Sequence, residues 1–227
     1  MSHTLSESGV FMGDQLNKSG DLLPPQDLYE ACRVMAKYVV HQGGLNWDFS
    51  GLHSGPIDPA FTRLVESYLS SVLNSDFTNK GWKLPETTLI LPWIVRIFPE
   101  AHYIYWVRDP RDNVLDGHLT DDLSDFGVPY DFTDDLIKRR AISWQYQFEI
   151  MKNTPSPANR IDVRFEEFII RQQDTLRRLE GFLGIPMATI PIRVDSVGRW
   201  RQMQHSDAFD IFPSEALYNG PWEVNQS

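Results

Sequence analysis

The chain has little that would build a disulfide framework, a cysteine-based metal site or a membrane span. Cys32 is the only cysteine among 227 residues, which excludes an intrachain disulfide and a zinc site built from cysteines. Cys32 falls in a helical apolar pattern with Leu28 and Met35, which indicates a buried structural thiol. No run of roughly 18 apolar residues and no basic start before an apolar core is present. We therefore expect neither a membrane span nor a signal peptide, and a cytoplasmic protein.

Positive charge is also scarce. The sequence has 21 lysines and arginines against 31 aspartates and glutamates, a net charge of −10 at pH 7. Binding to nucleic acid or to an anionic membrane surface needs clustered basic residues, so we expect neither partner. A local basic pocket for a nucleotide remains compatible with this balance. With 41% hydrophobic and 23% charged residues and no repeats or linkers, residues 1–227 are expected to form one domain.

The clearest structural pattern runs from Gly81 to His118. Apolar residues at three- and four-residue spacing predict a helix that Pro99 ends. The members of this stripe are Leu89, Ile90, Trp93, Ile94, Ile97 and Phe98. The stripe places a packed helix directly before the next element of the chain.

That next element is a strand, predicted over 103–107, that ends at Arg108. Its sequence YIYWV is aromatic and β-branched without charge, which is typical of a strand buried on both faces. Asp109 suits the N-cap and Pro110 the first position of a following helix, whose pattern resumes over 113–115. Arg108 is thus a fixed cation where a buried strand ends and a helix begins. In open α/β sheets, anionic ligands bind at that place.

The run from Lys83 through FPEAHYIYWVRDPRD resembles the sulfotransferase family. Members of this family transfer a sulfuryl group from 3′-phosphoadenosine-5′-phosphosulfate (PAPS). Three further stretches resemble the family in matching order: VRFEEF at 163–168, LEGFLGIP at 179–186 and VGRWR at 197–201. The resemblance implies an α/β fold with a central parallel sheet flanked by helices. Its three-layer, P-loop-like architecture would be that of a nucleotide kinase.

The family also has a first strand and a loop rich in glycine, serine and threonine, whose backbone N–H groups bind the 5′-phosphosulfate. Residues 2–13 resemble only the family segment that comes after that loop, and the glycines at 43–44 and 51–55 have no apolar strand before them. We therefore expect the sheet to lack its first strand. The chain would be N-terminally incomplete relative to the family, or another segment or subunit would fill the gap, so an oligomer is possible.

The resemblance implies that Arg108 binds the 3′-phosphate of PAPS, and a guanidinium is a bidentate phosphate clamp. The alternative is a salt bridge from Arg108 to Asp109 or Asp112. Arg199 and Arg201 lie in a segment that approaches the nucleotide in the family. Arginines on a solvated helix would have the same sequence pattern.

Asp116 departs from the family. At this position, eight residues after Arg108, the family usually has a serine whose hydroxyl binds the same 3′-phosphate. A carboxylate would repel a phosphate dianion there. We therefore expect weaker PAPS binding unless Asp116 turns away or is protonated.

Sulfuryl transfer needs a cation beside the leaving phosphate oxygen and a base for the acceptor's proton. By its K-x-P-E context Lys83 resembles the family's lysine that faces the site, although its neighbours could simply cap the next helix. Asp21 and His53 are candidates for the base, and His118 is a third. No pair of histidines has metal-binding spacing, and the aspartate-rich segment 119–135 lacks the regular spacing of a calcium loop. We expect no metal.

Three functions compete on this basis. The first is a PAPS-dependent sulfotransferase acting on a hydroxyl or amine of a small molecule or carbohydrate. The second is a catalytically degenerate binding module or incomplete family member that keeps the scaffold without the reaction. The third, an unrelated nucleotide enzyme such as a kinase, would need a phosphate loop even more. The sequence favours the first, with weak or no activity expected of this chain alone.

Overall fold

The computed structural model describes residues 1–203 and 206–219. Within these residues the chain forms ten α-helices and four β-strands. The helices are α1 (Ser2–Glu7), α2 (Gln26–Ala36), α3 (Ser50–His53), α4 (Pro59–Tyr68), α5 (Ser70–Leu73), α6 (Leu91–Ile97), α7 (Pro110–Asn113), α8 (Leu136–Asn153), α9 (Phe165–Ile170) and α10 (Gln172–Leu183). The strands are β1 (Val40–Gly43), β2 (Asn46–Asp48), β3 (Tyr103–Val107) and β4 (Arg160–Arg164).

The predicted parallel sheet is confirmed, and it is small. β3 and β4 pair in parallel, with Tyr103 opposite Arg160 and Val107 opposite Arg164. Two parallel strands need a long crossover, and α7 and α8 lie in it. β1 and β2 form a separate antiparallel hairpin. In the described part of the chain, no third strand pairs with β3 or β4.

The two faces of β3 contact different apolar clusters. Tyr103 and Tyr105 are buried in the main core, which also contains residues of α2, α4, α6 and α8. Ile104 and Trp106 alternate with them and pack on a second cluster that includes Val163 of β4. Because side chains of a strand point to opposite faces in turn, the strand is covered on both sides, as its sequence predicts.

Trp93 of α6 lies at the centre of the main core. Its side chain is 1% exposed, its ring meets the ring of Phe61 edge-on at 4.8 Å, and its indole N–H donates to the carbonyl of Leu52 at 3.1 Å. The predicted apolar stripe thus contributes to the main core, with Leu89, Ile90, Trp93 and Ile94 buried in it. Its first part is a 3-10 helix, Pro85–Ile90, that leads into α6. Cys32 is buried in the same core, and burial raises the pKa of its thiol.

The turn from β3 into α7 agrees with the sequence prediction at the start of the helix but not at its end. The carboxylate of Asp109 accepts the N–H of Arg111 at 2.9 Å and caps the helix, with Pro110 in its first turn. The predicted continuation over 113–115 is wrong, because α7 ends at Asn113. Arg140 donates instead to the carbonyls of residues 114 and 115, at 3.1 and 3.3 Å. These bonds satisfy two carbonyls that follow the end of the helix.

The two longest helices are bounded in different ways. Asp135 caps α8, because its carboxylate accepts the N–H groups of residues 137 and 138 at 3.0 and 3.1 Å. α10 begins at Gln172, and Asp174 lies in its first turn. Gly184 ends α10 in the left-handed conformation at φ 70°, as its position predicts.

Candidate functional site

A cleft of about 370 Å³ lies beside the carboxyl ends of β3 and β4. One wall is apolar and includes Trp106, Phe165, Phe168, Ile190 and Ile192. The charged lining consists of Arg108, Asp116, Arg193, Asp195 and Arg199. Three of the four predicted ligand-binding residues therefore meet in one place, although they come from distant parts of the chain.

Arg108 follows β3 directly, and most of its hydrogen-bonding capacity is unused. Its guanidinium donates to the carbonyl of Ser196 at 2.7 Å and lies 4.7 Å over the ring of Phe165. Its Nε is buried and has no hydrogen-bond partner among the described residues. The nearest carboxylate, that of Asp116, is 3.9 Å from Nη1, which is too long for a hydrogen bond. Burial lowers the pKa of Arg108.

The alternative partners of Arg108 are occupied elsewhere. The Asp109 carboxylate is fully buried and accepts from the guanidinium of Arg111 at 2.6 and 3.0 Å. The backbone N–H of Asp109 in turn donates to a carboxylate oxygen of Glu166 at 2.8 Å. Burial raises the pKa of Glu166. The motif residue Glu166 thus fixes the corner that carries Arg108 and does not enter the cleft.

Asp112 attaches a late segment of the chain to this corner. Its buried carboxylate accepts the backbone N–H of Gly198 at 2.6 Å and that of Trp200 at 2.9 Å. The guanidinium of Arg111 lies 3.7 Å over the Trp200 ring. These contacts place Arg199, which lies between the two N–H donors, at the edge of the cleft.

Arg199 pairs with Asp116 in a bidentate arrangement. Its two terminal nitrogens donate to the two carboxylate oxygens at 3.1 and 2.5 Å. This hydrogen bonding lowers the pKa of Asp116, so the carboxylate is charged and faces the arginines. In this conformation Asp116 is therefore neither turned away from the arginines nor protonated. Its charge would repel a bound phosphate.

Arg201 lies differently from its neighbour Arg199. It belongs to a 3-10 turn, Arg199–Gln202, its guanidinium is 5.9 Å from the ring centroid of Trp200, and it is not part of the cleft lining. The structure therefore brings Arg108, Asp116 and Arg199 together and leaves Arg201 outside the group. A role for Arg201 in ligand binding stays a prediction.

Lys83 and Asp21 form a contact ion pair across 62 residues of sequence. The second carboxylate oxygen of Asp21 accepts from the side-chain amide of Asn17 at 2.8 Å. The Lys83 side chain is 38% exposed and that of Asp21 is 12% exposed. Two predicted catalytic residues are therefore adjacent, with the ammonium accessible from solvent and the carboxylate mostly covered.

Glu86, which the sequence analysis did not select, is a buried carboxyl close to this pair. It is 1% exposed, and one of its oxygens finds no hydrogen-bond partner in the described part of the chain. Burial raises the pKa of Glu86, and the charges of Lys83 and Asp21 also act on it. Helical spacing gives the signal that could have found it, since Glu86 is three and four residues before the buried Leu89 and Ile90.

His118 is oriented by two neighbours. Its Nδ1 accepts the backbone N–H of Thr120 at 3.2 Å, so the neutral ring carries its proton on Nε2. Nε2 faces a carboxylate oxygen of Glu86 at 3.9 Å. The lone pair that a general base needs is therefore occupied by a backbone N–H.

His53 lies apart from these groups. It is exposed at the end of α3. No hydrogen bond, ion pair or ring contact of the described residues joins it to Lys83 or Arg108. Its role as a base stays a prediction.

The aspartate-rich segment 119–135 is held by contacts with other parts of the chain. Asp121 pairs with Arg140 at 2.8 Å, and Asp131 accepts the backbone N–H of Gly44 at 2.7 Å. Across residues 1–203 and 206–219, no three His, Cys, Asp or Glu side chains are grouped so that they could hold a metal ion. The helices of this part of the chain are all too short or too polar to cross a membrane.

The comparison with known families agrees with this geometry. A family described as the sulfotransferase family matches residues 25–189. The matched range contains Lys83, Arg108 and Glu166, and it ends before Arg199. No curated protein and no solved structure matches the chain. Because the match spans well over half of its 227 residues, this chain belongs to the sulfotransferase family.

Proposed function

We propose that the chain binds PAPS and transfers its sulfuryl group to a hydroxyl or amine of a small molecule or carbohydrate. The observation that carries the proposal is Arg108, a half-buried guanidinium at the end of β3 whose Nε has no partner in the part of the chain that the structure describes. A guanidinium with unused N–H groups at the end of a parallel strand is suited to a phosphate. Family membership supports the same class of reaction.

The cleft fits the nucleotide part of PAPS. Its volume of about 370 Å³ lies within the usual range for small-ligand sites. Trp106 and Phe165 form an apolar wall next to Arg108. A phosphate on Arg108 would leave an aromatic base to contact that wall. We propose that Arg108 holds the 3′-phosphate and that the wall contacts the adenine.

The fit is weaker for the phosphosulfate part. Among the described residues, the turns that follow β3 and β4 contain no glycine-rich run of backbone N–H groups. Lys83 is the lysine that resembles the family's site-facing cation; its ammonium is paired with Asp21, and it is not among the residues that line the cleft. We therefore propose that Lys83, and not a backbone loop of this part of the chain, supplies positive charge at that end of the ligand.

The Lys83–Asp21 pair suggests how charge and proton would be handled together. PAPS would supply the sulfuryl group and its phosphate as the leaving group. When Lys83 turns to the phosphate oxygen, it stabilises the negative charge that develops there. Its departure leaves the Asp21 carboxylate without its cation, and Asp21 can then accept the acceptor's proton. In this proposal one exchange of partners prepares both groups.

A second function is favoured by specific contacts. Arg199 is occupied by Asp116, and Lys83 is occupied by Asp21. A chain with these pairs intact would bind a nucleotide without reacting. We therefore keep a nucleotide-binding module without turnover as the second candidate.

The test is PAPS turnover measured as formation of adenosine 3′,5′-bisphosphate (PAP) with a panel of hydroxyl and amine acceptors. Acceptor-dependent PAP formation that is lost in Arg108→Ala supports the sulfotransferase. Arg108-dependent nucleotide binding without turnover supports the binding module. The absence of both nucleotide binding and turnover would overturn both candidate functions. Arg164→Ala is the matched control, because Arg164 ends β4, donates to the carbonyls of residues 215 and 216 and is not part of the cleft lining.

A further inference from the structure

The lining of the cleft contains carboxylates as well as guanidinium groups. Its lining contains Arg108, Arg193 and Arg199 against Asp116 and Asp195, so the positive charge exceeds the negative by only one. A phosphate monoester at neutral pH carries nearly two negative charges. The charges of the lining therefore do not balance such a ligand while both aspartates are ionised.

The two aspartates of the cleft are bound differently. Asp116 places both carboxylate oxygens on Arg199, at 3.1 and 2.5 Å, and approaches Arg108 to 3.9 Å. Among the described residues Asp195 pairs with Arg193, at 3.5 Å, and both of these side chains are more than 70% exposed. The Asp116 side chain is also exposed, at 61%, but it lies between two arginines at the cleft, whereas Asp195 faces one arginine at its rim.

The carboxylate of Asp116 pairs with the Arg199 guanidinium in the way that a bound oxyanion would. A carboxylate and a phosphate both present two oxygens to the fork of a guanidinium, so they compete for the same N–H groups. Within residues 1–203 and 206–219, Arg199 retains a buried Nε without a partner, and Arg108 has the same feature. Asp112 does not compete in this way, because its carboxylate binds the backbone N–H groups of Gly198 and Trp200.

We propose that Asp116 is an internal competitor that sets the affinity of the cleft for phosphate. A phosphate that contacts Arg108 must either take Arg199 from Asp116 or remain close to its carboxylate. Asp116 therefore determines specificity, since it disfavours weakly held anions and requires a ligand with further contacts, such as a nucleotide. The nucleotide part of this inference rests on the proposed function, but the competition itself concerns any phosphate.

The experiment is calorimetric titration of PAP and, separately, of inorganic phosphate into four forms of the full chain at one fixed low salt concentration. The forms are the wild type, Asp116→Asn, Asp195→Asn and Asp116→Asn combined with Arg199→Ala. Asp195→Asn is the matched control, because it removes the same charge from the same cleft without releasing Arg199. Thermal unfolding of each form reports whether it is folded.

We expect Asp116→Asn to bind both ligands at least about tenfold more tightly than the wild type, or about 1.4 kcal/mol. Asp195→Asn should gain less than about threefold, because exposed charges at the rim are screened. Arg199→Ala should remove the gain of Asp116→Asn, because Arg199 is the group that the asparagine releases.

Each of the other outcomes supports or overturns the proposed competition. Equal gains in Asp116→Asn and Asp195→Asn would show a general charge effect and overturn the competition. No gain in Asp116→Asn, or no phosphate binding by any form, would overturn it as well. Tighter inorganic phosphate binding by Asp116→Asn with no PAP binding by any form would support the competition and remove the proposed function. PAP binding by the wild type without a gain in Asp116→Asn would do the reverse.

Discussion

The carboxylate of Asp112 accepts the backbone N–H of Gly198 at 2.6 Å and joins two segments that are 86 residues apart. A second bond from Trp200 reaches the same carboxylate at 2.9 Å. Between these two donors lies Arg199, which enters the charged edge of the cleft. A buried acid in the one-turn helix α7 therefore assembles the site by joining the β3 corner to a segment beyond the matched family region.

Replacing Asp112 with asparagine should loosen this connection. The amide can accept one of the two backbone N–H groups, and its own NH₂ opposes the other. A buried donor left without an acceptor costs about 1–3 kcal/mol, so we expect that loss in the free energy of unfolding by urea. PAP affinity should fall as well, because Arg199 is no longer held. Asp174→Asn, on the surface of α10, is the control, and unchanged stability in Asp112→Asn would contradict the assignment.

Lys83→Met should separate binding from turnover. The thioether keeps the length of the side chain and removes its charge, so stabilisation of the leaving phosphate oxygen is lost. Removing one such electrostatic contact lowers kcat by roughly 100- to 1,000-fold, whereas the PAP Kd should change by less than about threefold. Single-turnover PAPS cleavage and PAP titration measure the two effects. The control is Lys80→Met, because Lys80 is bound to the carbonyls of residues 73 and 75. A turnover equal to that of the wild type would remove Lys83 from the reaction.

Glu86→Gln should change the pH dependence of stability. Burial raises the pKa of Glu86 above its ordinary value of 4.5, so the folded chain holds this proton to higher pH than the unfolded chain. The stability that the neutral carboxyl provides is complete below pH 4.5 and is lost as pH rises through the raised pKa. Glutamine is always neutral.

The stability of Glu86→Gln relative to the wild type should therefore increase as pH rises above 4.5. Urea unfolding at several pH values between about 4 and 8 measures this difference. Glu66→Gln, on the exposed side of α4, should show no comparable trend. A constant difference between Glu86→Gln and the wild type would mean that Glu86 ionises in the fold as it does in the unfolded chain.

Local sequence patterns predicted the frame of the site because its elements are set by neighbouring residues. The apolar run 103–107, the cap at Asp109 and the proline at Pro110 each act within a few residues, and β3 and α7 begin as predicted. Gly184 ends α10 for the same kind of reason. The early end of α7 was not predicted; the carbonyls that follow it bond to Arg140 of another helix, a contact that no local pattern shows.

The charge pairs of the site could not be predicted from spacing. Asp116 and Arg199 are 83 residues apart, and Asp21 and Lys83 are 62 apart. Each of these residues had a sequence-based role of its own, and nothing in the pattern showed which acid would neutralise which base. The pairings depend on how the late segment folds back over the β3 corner, which only the tertiary structure shows.

The most direct test of the account is calorimetric titration of PAP into the wild type, Arg108→Ala and Arg164→Ala. We predict measurable binding to the wild type and to Arg164→Ala. Arg108→Ala should bind roughly 10- to 150-fold more weakly, since a hydrogen bond to a charged group contributes about 1.5–3 kcal/mol. Binding that is equal in all three forms, or absent from the wild type, would contradict the claim that Arg108 is the phosphate-binding residue of this chain.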